Sequence, residues 1–172
     1  MDEASRDEPR FLADAMLGRL ARWLRVLGFD TAHEAAHGPA VTDRELVDRA
    51  ARERRALLTR DRPLIADLRP KPALLVTADE PLEQLRQVVA RFGLRPPPEL
   101  FTRCLVCNAS LRVATPEEAA TLVPPRSLGL PGPVRACPDC GRVYWHGSHA
   151  RRMRSAIERT LPGWGGDQAC TA

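Results

Sequence analysis

Short apolar runs alternate with amphipathic stretches through the first half of the chain. Phe11-Leu12-Ala13 is one such run, ending at Asp14, and it predicts a short buried strand. From Met16 to Gly28 the residues Met16, Leu17, Leu20, Leu24 and Leu27 recur at helical spacing. Gly28 supplies a helix stop, and Arg19, Arg22 and Arg25 follow one another on a more polar side. Phe29 to His33 predicts a second strand, and His37-Gly38-Pro39 a loop. Thr42 with Glu45 three positions on reads as a capping box, opening a helix through Leu46, Val47, Ala50 and Ala51. Ala56-Leu57-Leu58-Thr59 predicts a third strand with a polar tip at Arg60-Asp61-Arg62-Pro63. Ala73 to Thr77 predicts a fourth, followed by a helix with Pro81 in its first turn, running to Phe92 and stopping at Gly93. Strand and helix in alternation predict an α/β domain with a mainly parallel central sheet over about residues 11–95.

The pattern then changes. Pro96-Pro97-Pro98 is stiff and excludes helix, which puts a boundary there. Beyond it, about residues 101–160 predict a small module with two cysteine pairs, a Pro- and Gly-rich stretch from Pro124 to Pro133, and a basic C-terminal helix from about Ser148 to Thr160. Met1 to Arg10 predicts a frayed start and Pro162 to Ala172 a disordered tail.

Composition narrows the classes. With 172 residues, 44% apolar and 28% charged, the chain has material for one main core and one accessory module. No apolar run approaches the roughly 20 residues a membrane-spanning helix needs. The acidic start lacks the basic and apolar regions of a signal peptide, so a cytoplasmic protein with no membrane partner is expected. The formal charge of +4 is carried almost wholly by arginine. Arginine's planar fork suits phosphate, although such a bias also arises from GC-rich coding.

Five cysteines in such a chain point to metal or free thiols rather than a disulfide framework. Cys104-Leu-Val-Cys107-Asn and Cys137-Pro-Asp-Cys140-Gly are two knuckles, each delivering two thiolates and each followed by a residue that tolerates a left-handed backbone. One structural zinc, closed by Cys104, Cys107, Cys137 and Cys140, is the expected occupant. The 29 residues between the knuckles predict an insertion between two hairpins. His146 and His149 suit polar contacts to RNA, with Ser148 as a helix cap, better than a ligand role, and Cys170 reads as a bystander thiol.

Acids recur at strand and helix ends. Asp14 follows the first strand, Asp43 opens a helix, and Asp61 follows Ala-Leu-Leu-Thr-Arg. In parallel sheets ligands bind outside the strands' carboxyl ends, so Asp14 and Asp61 can converge there while Asp43 approaches from a helix N-terminus. Such oxygen-rich sites take Mg²⁺ or Mn²⁺. Asp79 and Glu45 are candidates to complete the set. Each acid also has a plain structural role open to it as a cap, a dipole partner or a turn residue, and Trp23 reads as core.

Phe11-Leu-Ala-Asp-Ala-Met-Leu-Gly-Arg-Leu-Ala-Arg-Trp-Leu-Arg-Val-Leu-Gly28, Thr42-Asp-Arg-Glu-Leu, Leu57-Leu-Thr-Arg-Asp-Arg62, the two Cys-x-x-Cys pairs and Arg142-Val-Tyr-Trp-His-Gly-Ser-His149 together resemble the Mut-seven C-terminal RNase domain family. The resemblance implies a PIN-like nuclease fold with an appended zinc ribbon, and RNA cleavage with a divalent metal. It implies Asp14, Asp43 and Asp61 as the metal-holding catalytic acids, Glu34 as the candidate for a fourth acid, and Arg19 as a phosphate contact; Arg22 and Arg60 are expected substrate contacts beside it. The expected activity is that of a metal-dependent endoribonuclease whose ribbon, with Arg142, Arg151, Arg152 and Arg154, grips RNA. The rival is an RNA- or protein-binding adaptor that keeps the fold without the chemistry. A toxin paired with a protein partner rests on fold analogy alone.

Overall fold

The computed structural model of the protein describes residues 8–34 and 41–165. The loop expected at 37–39, Cys170 and most of the expected tail lie outside the described residues. The chain divides into two compact units, Met1–Arg25 with Phe29–Arg95, and Val26–Gly28 with Pro96–Ala172.

The first unit is built on four parallel strands, β1 (Phe11–Ala13), β2 (Thr31–His33), β3 (Ala56–Thr59) and β4 (Ala73–Leu75), in the order β2-β1-β3-β4. The register pairs Leu12 with Ala32 on one side and with Leu57 on the other, and Leu58 with Leu74. β1 and β3 are buried throughout, as central strands of a parallel sheet are when both faces are covered. α1 (Gly18–Val26) follows β1, α2 (Asp43–Arg52) precedes β3, α3 (Arg62–Leu68) lies between β3 and β4, and α4 (Pro81–Phe92) closes the unit. Leu12 and Leu57 pack with Leu46 and Ala50 of α2 and Leu64 of α3 in one buried cluster. Strand alternation turns Phe11 to the opposite face. There its ring meets Phe29 at 6.2 Å and Phe92 of α4 at 5.2 Å, both edge-on.

Local signals explain several of these elements. Thr42 and Glu45 form the expected capping box at the start of α2. α4 begins at Pro81 and stops at Gly93, whose φ of +60° carries the chain out of the helix. Other expectations are corrected. The stretch after Asp14 is first a 3-10 turn, Ala15–Leu17, because the Asp14 carboxylate accepts from the Met16 amide and holds a tight turn there. Met16 is 72% exposed and does not join the helix's apolar face. Arg25, expected on the polar side, is buried at 6% exposure with Nε donating to the Thr31 carbonyl at 2.9 Å. Trp23 is half-buried. The polar tip after β3 is a helix, α3, with Asp61 as its cap and Pro63 in its first turn.

The second unit is a small three-stranded antiparallel sheet, β5 (Arg112–Val113), β6 (Arg135–Ala136) and β7 (Val143–Tyr144), with α5 (Pro116–Leu122) inserted after β5 and α6 (Ser148–Thr160) at its end. α5 carries its own capping box, Thr115 with Glu118, and sits in the long interval between the two cysteine pairs. The cap of α6 is Gly147, not Ser148. The expected disorder from Pro162 does not begin there. Leu161 and Trp164 are buried, and the Gly163 and Gly165 amides donate to the Glu158 carboxylate, each at 2.9 Å. Among the described residues no helix is long and apolar enough to cross a membrane.

Candidate metal centre and acidic strand edge

Each cysteine pair is held by the same local turn. The Cys104 amide donates to the Ala109 carbonyl at 2.8 Å and the Asn108 amide to the Cys104 carbonyl at 3.0 Å. The second knuckle repeats this, Cys137 to Arg142 at 2.8 Å and Gly141 to Cys137 at 3.1 Å. Asn108 and Gly141 take φ values of +73° and +70°, the left-handed geometry that the turn demands after its second cysteine. The flanking pairs also correspond, Arg103 bridging Ser110 and Ala136 pairing with Val143. Two equivalent hairpins thus present two sulfurs each.

The four sulfurs lie within 4.8 Å of one another, with Cys104 to Cys140 at 3.6 Å and Cys107 to Cys137 at 3.4 Å. Sulfurs about 2.3 Å from a tetrahedral zinc would stand about 3.8 Å apart, so the donor set and its size fit that ion. None of the four is in a disulfide. Burial opposes the Cys104 thiolate, but the Cys107 and Val106 amides and the Tyr144 hydroxyl outweigh it and bring the thiol down to about 6. Burial and the neighbouring sulfurs push Cys107 up to about 12. The site is compatible with a zinc ribbon, closed by four soft ligands.

Tyr144 is a supporting residue that ligand spacing does not reveal. Its hydroxyl accepts from the Leu105 amide at 3.2 Å and lies 3.1 Å from Cys104 Sγ, to which it donates. A contact of this kind orients a cysteine that could serve as a metal ligand. His146 and His149 are not members of the sulfur cluster.

In the first unit, chain order and spatial order diverge between β1 and β3, since β2 lies on one side of β1 while β3 and β4 lie on the other. The carboxyl ends at such a reversal form a crevice in open α/β sheets. Asp14 leaves β1 there and Asp61 follows β3. They are linked through one side chain: Thr59 Oγ1 donates in a short hydrogen bond to Asp14 Oδ2 and accepts from the Asp61 amide at 2.9 Å. The Asp14 carboxylate also accepts from the Met16 amide at 2.9 Å and the Arg60 amide at 3.3 Å. Asp61 Oδ1 accepts from the Leu64 amide at 2.8 Å, which leaves Oδ2 without a partner among the described residues. Asp43 is exposed in the first turn of α2, with no hydrogen-bond partner among the described residues.

The remaining acids are engaged elsewhere. Glu34 pairs with Arg49 at 2.6 Å, Glu45 caps Thr42 at 2.8 Å, and Asp79, 86% exposed, holds Arg60 at 2.5 Å. Arg19 and Arg22 are exposed on α1. The donor chemistry of Asp14, Asp43 and Asp61 suits a hard divalent cation. Yet no three carboxylates among the described residues gather within 4.8 Å of one another, so the edge is not a preformed coordination shell.

The chain thus combines a parallel α/β sheet, with acids at its central carboxyl edge, and a module whose four cysteines could hold a metal ion. The chain belongs to the Mut7-C RNAse domain family, whose model matches residues 9–157. That membership ties the protein to RNA and to nuclease function. No curated protein and no solved structure matches the chain significantly.

Proposed function

We propose that the protein is a metal-dependent endoribonuclease. The observation that carries the reading is the juxtaposition of Asp14 and Asp61 through Thr59 at the reversal between β1 and β3. Mg²⁺ or Mn²⁺, held by Asp14, Asp43 and Asp61, would supply the charge that activates water and stabilises the leaving oxygen of a phosphodiester. The chain's own part is to hold the acids. Met16, Thr59 and Arg60 fix the Asp14 carboxylate, while among the described residues Asp61 keeps one oxygen unpartnered and Asp43, at a helix N-terminus, keeps both. Arg19 and Arg22 attract phosphate from α1, while Arg60 enters any such role already paired with Asp79. The four-cysteine ribbon holds structural zinc, and its basic helix contributes to RNA binding.

The rival is a binding adaptor that retains the fold, and one observation favours it: the acids are not gathered into one shell. Incubation of purified protein with mixed RNAs and Mn²⁺, beside an Asp14→Asn, Asp61→Asn double variant, separates the two. Cleavage by the native protein that the variant lacks supports the enzyme. Intact RNA bound equally by both proteins supports the adaptor, and equal cleavage by both assigns the activity to a contaminant or another site.

A further inference from the structure

The second unit contains a cavity of about 230 Å³ between the β6–β7 hairpin and the start of α6. Its walls are largely apolar and aromatic: Phe101, Tyr144, Trp145 and His146, closed by Ala150 and Met153. Phe101 and His146 lie tilted at 6.3 Å between ring centres, and Arg154 stands over the Phe101 ring at 5.6 Å. The zinc-binding cysteines are not in the lining, although Tyr144 is shared.

Two features make the cavity more than an apolar gap. Gly147, Ser148 and His149 bring the N-terminus of α6 to its wall, and this 13-residue helix has neither a side-chain cap nor an acid in its first turn. Its first amides therefore offer an anion site with the favourable end of the helix dipole. Arg135 also lines the cavity, held by a short ion pair to Glu99, and its Nε is buried without a hydrogen-bond partner among the described residues. Beyond the rim, Arg151 and Arg152 are exposed on α6.

We infer that this cavity takes one unpaired base of a single-stranded RNA, with the flanking phosphate on the α6 N-terminus. The inference rests on the RNA reading above and deepens it. The volume is below the roughly 300–1,000 Å³ of pockets for larger ligands and suits a single planar ring system. The aromatic lining supplies stacking that tolerates any base, the helix start and arginines supply charge for the backbone, and a base locked in a duplex cannot enter. The ribbon thereby selects unpaired RNA rather than gripping phosphate alone.

The test uses the full-length, zinc-loaded chain carrying Asp14→Asn and Asp61→Asn, so that RNA stays intact. Affinity is read by fluorescence anisotropy for a single-stranded 12-mer, the same sequence as a duplex, and a 12-mer of identical backbone lacking bases. The single strand is expected to bind at least about 10-fold more tightly than either control, the scale of one stacked base. Trp145→Leu, checked for unchanged zinc content, should lower single-strand affinity to the baseless level. If the baseless strand binds as well as the normal one, the cavity holds no base while RNA binding stands. If no RNA binds at low salt, both readings fall. Should Trp145→Leu misfold, the comparison of strands on the unaltered ribbon still decides.

Discussion

The two candidate centres reach their geometry by different routes. In the ribbon, each pair of sulfurs is set by six residues of continuous chain, and the same turn is used twice, down to the pattern of amide hydrogen bonds. At the sheet edge, Asp14 and Asp61 are 47 positions apart and become neighbours only because β1 and β3 pair. The first site brings four sulfurs within reach of a single ion. The second offers acids of the right type, Asp14 buried and anchored and Asp61 half-buried, that stand short of a coordination shell. A structural ion needs a closed set of ligands, whereas a catalytic one needs room for substrate and water.

The comparison breaks most readily at the zinc. Cys107→Ser, or a strong chelator, should release about one metal per chain and remove most amide-exchange protection from the second unit, because structural zinc contributes apparent binding energies of about 10–16 kcal/mol in small modules. Protection in the β1–β4 sheet should persist. A protein that keeps its zinc without both cysteine pairs would refute the ligand assignment.

Next in size is Thr59→Val. It removes the hydroxyl that joins the two acids and leaves the Asp61 amide without its acceptor, for a stability cost of about 1–3 kcal/mol in denaturant titration. Any Mn²⁺-dependent RNA cleavage should fall by about 10–100-fold, the usual loss when an orienting contact goes. Unchanged cleavage would detach Thr59 from the site.

Tyr144→Phe sharpens the ribbon side. Loss of the hydroxyl deprives Cys104 and the Leu105 amide of one partner each. Zinc affinity, measured by competition with a coloured chelator, should drop by about 10-fold or more with the fold intact.

The smallest effect concerns pH. Hydrogen bonds from Arg112 first, then the Thr115 amide, bring the Glu118 carboxyl from the ordinary 4.5 down to about 2. A carboxyl lowered on folding stabilises above its unfolded value and loses that contribution as pH falls through the folded one. The start of α5 should therefore be fully held above about pH 4.5 and fray progressively toward pH 2, seen in the exchange of the Glu118 amide. In Glu118→Gln that pH dependence should vanish.

Much of this was legible in residue order. The capping box of α2, the Pro81–Gly93 limits of α4 and the strand Ala56–Thr59 all rest on near-neighbour chemistry, and the structure reproduces them. So do the knuckles, since a Cys-x-x-Cys turn followed by Asn or Gly has little freedom. Two short helices passed unread although their signals are present. Asp61 with Pro63 opens α3, and Thr115-Pro116-Glu117-Glu118 opens α5; each runs for only 7 residues, too few for a helical period to stand out. Arg25 misled because a charge at helical spacing looks solvated until a carbonyl such as that of Thr31 is brought to it.

By itself the sequence determined most of the elements, the grouping of four cysteines and the family, because these depend on contacts a few residues long or on motifs in fixed order. Only the tertiary structure decided which acids meet. Strand order is set by long-range packing, and that packing joined Asp14 to Asp61 through Thr59 while committing Glu34 to Arg49 and Asp79 to Arg60.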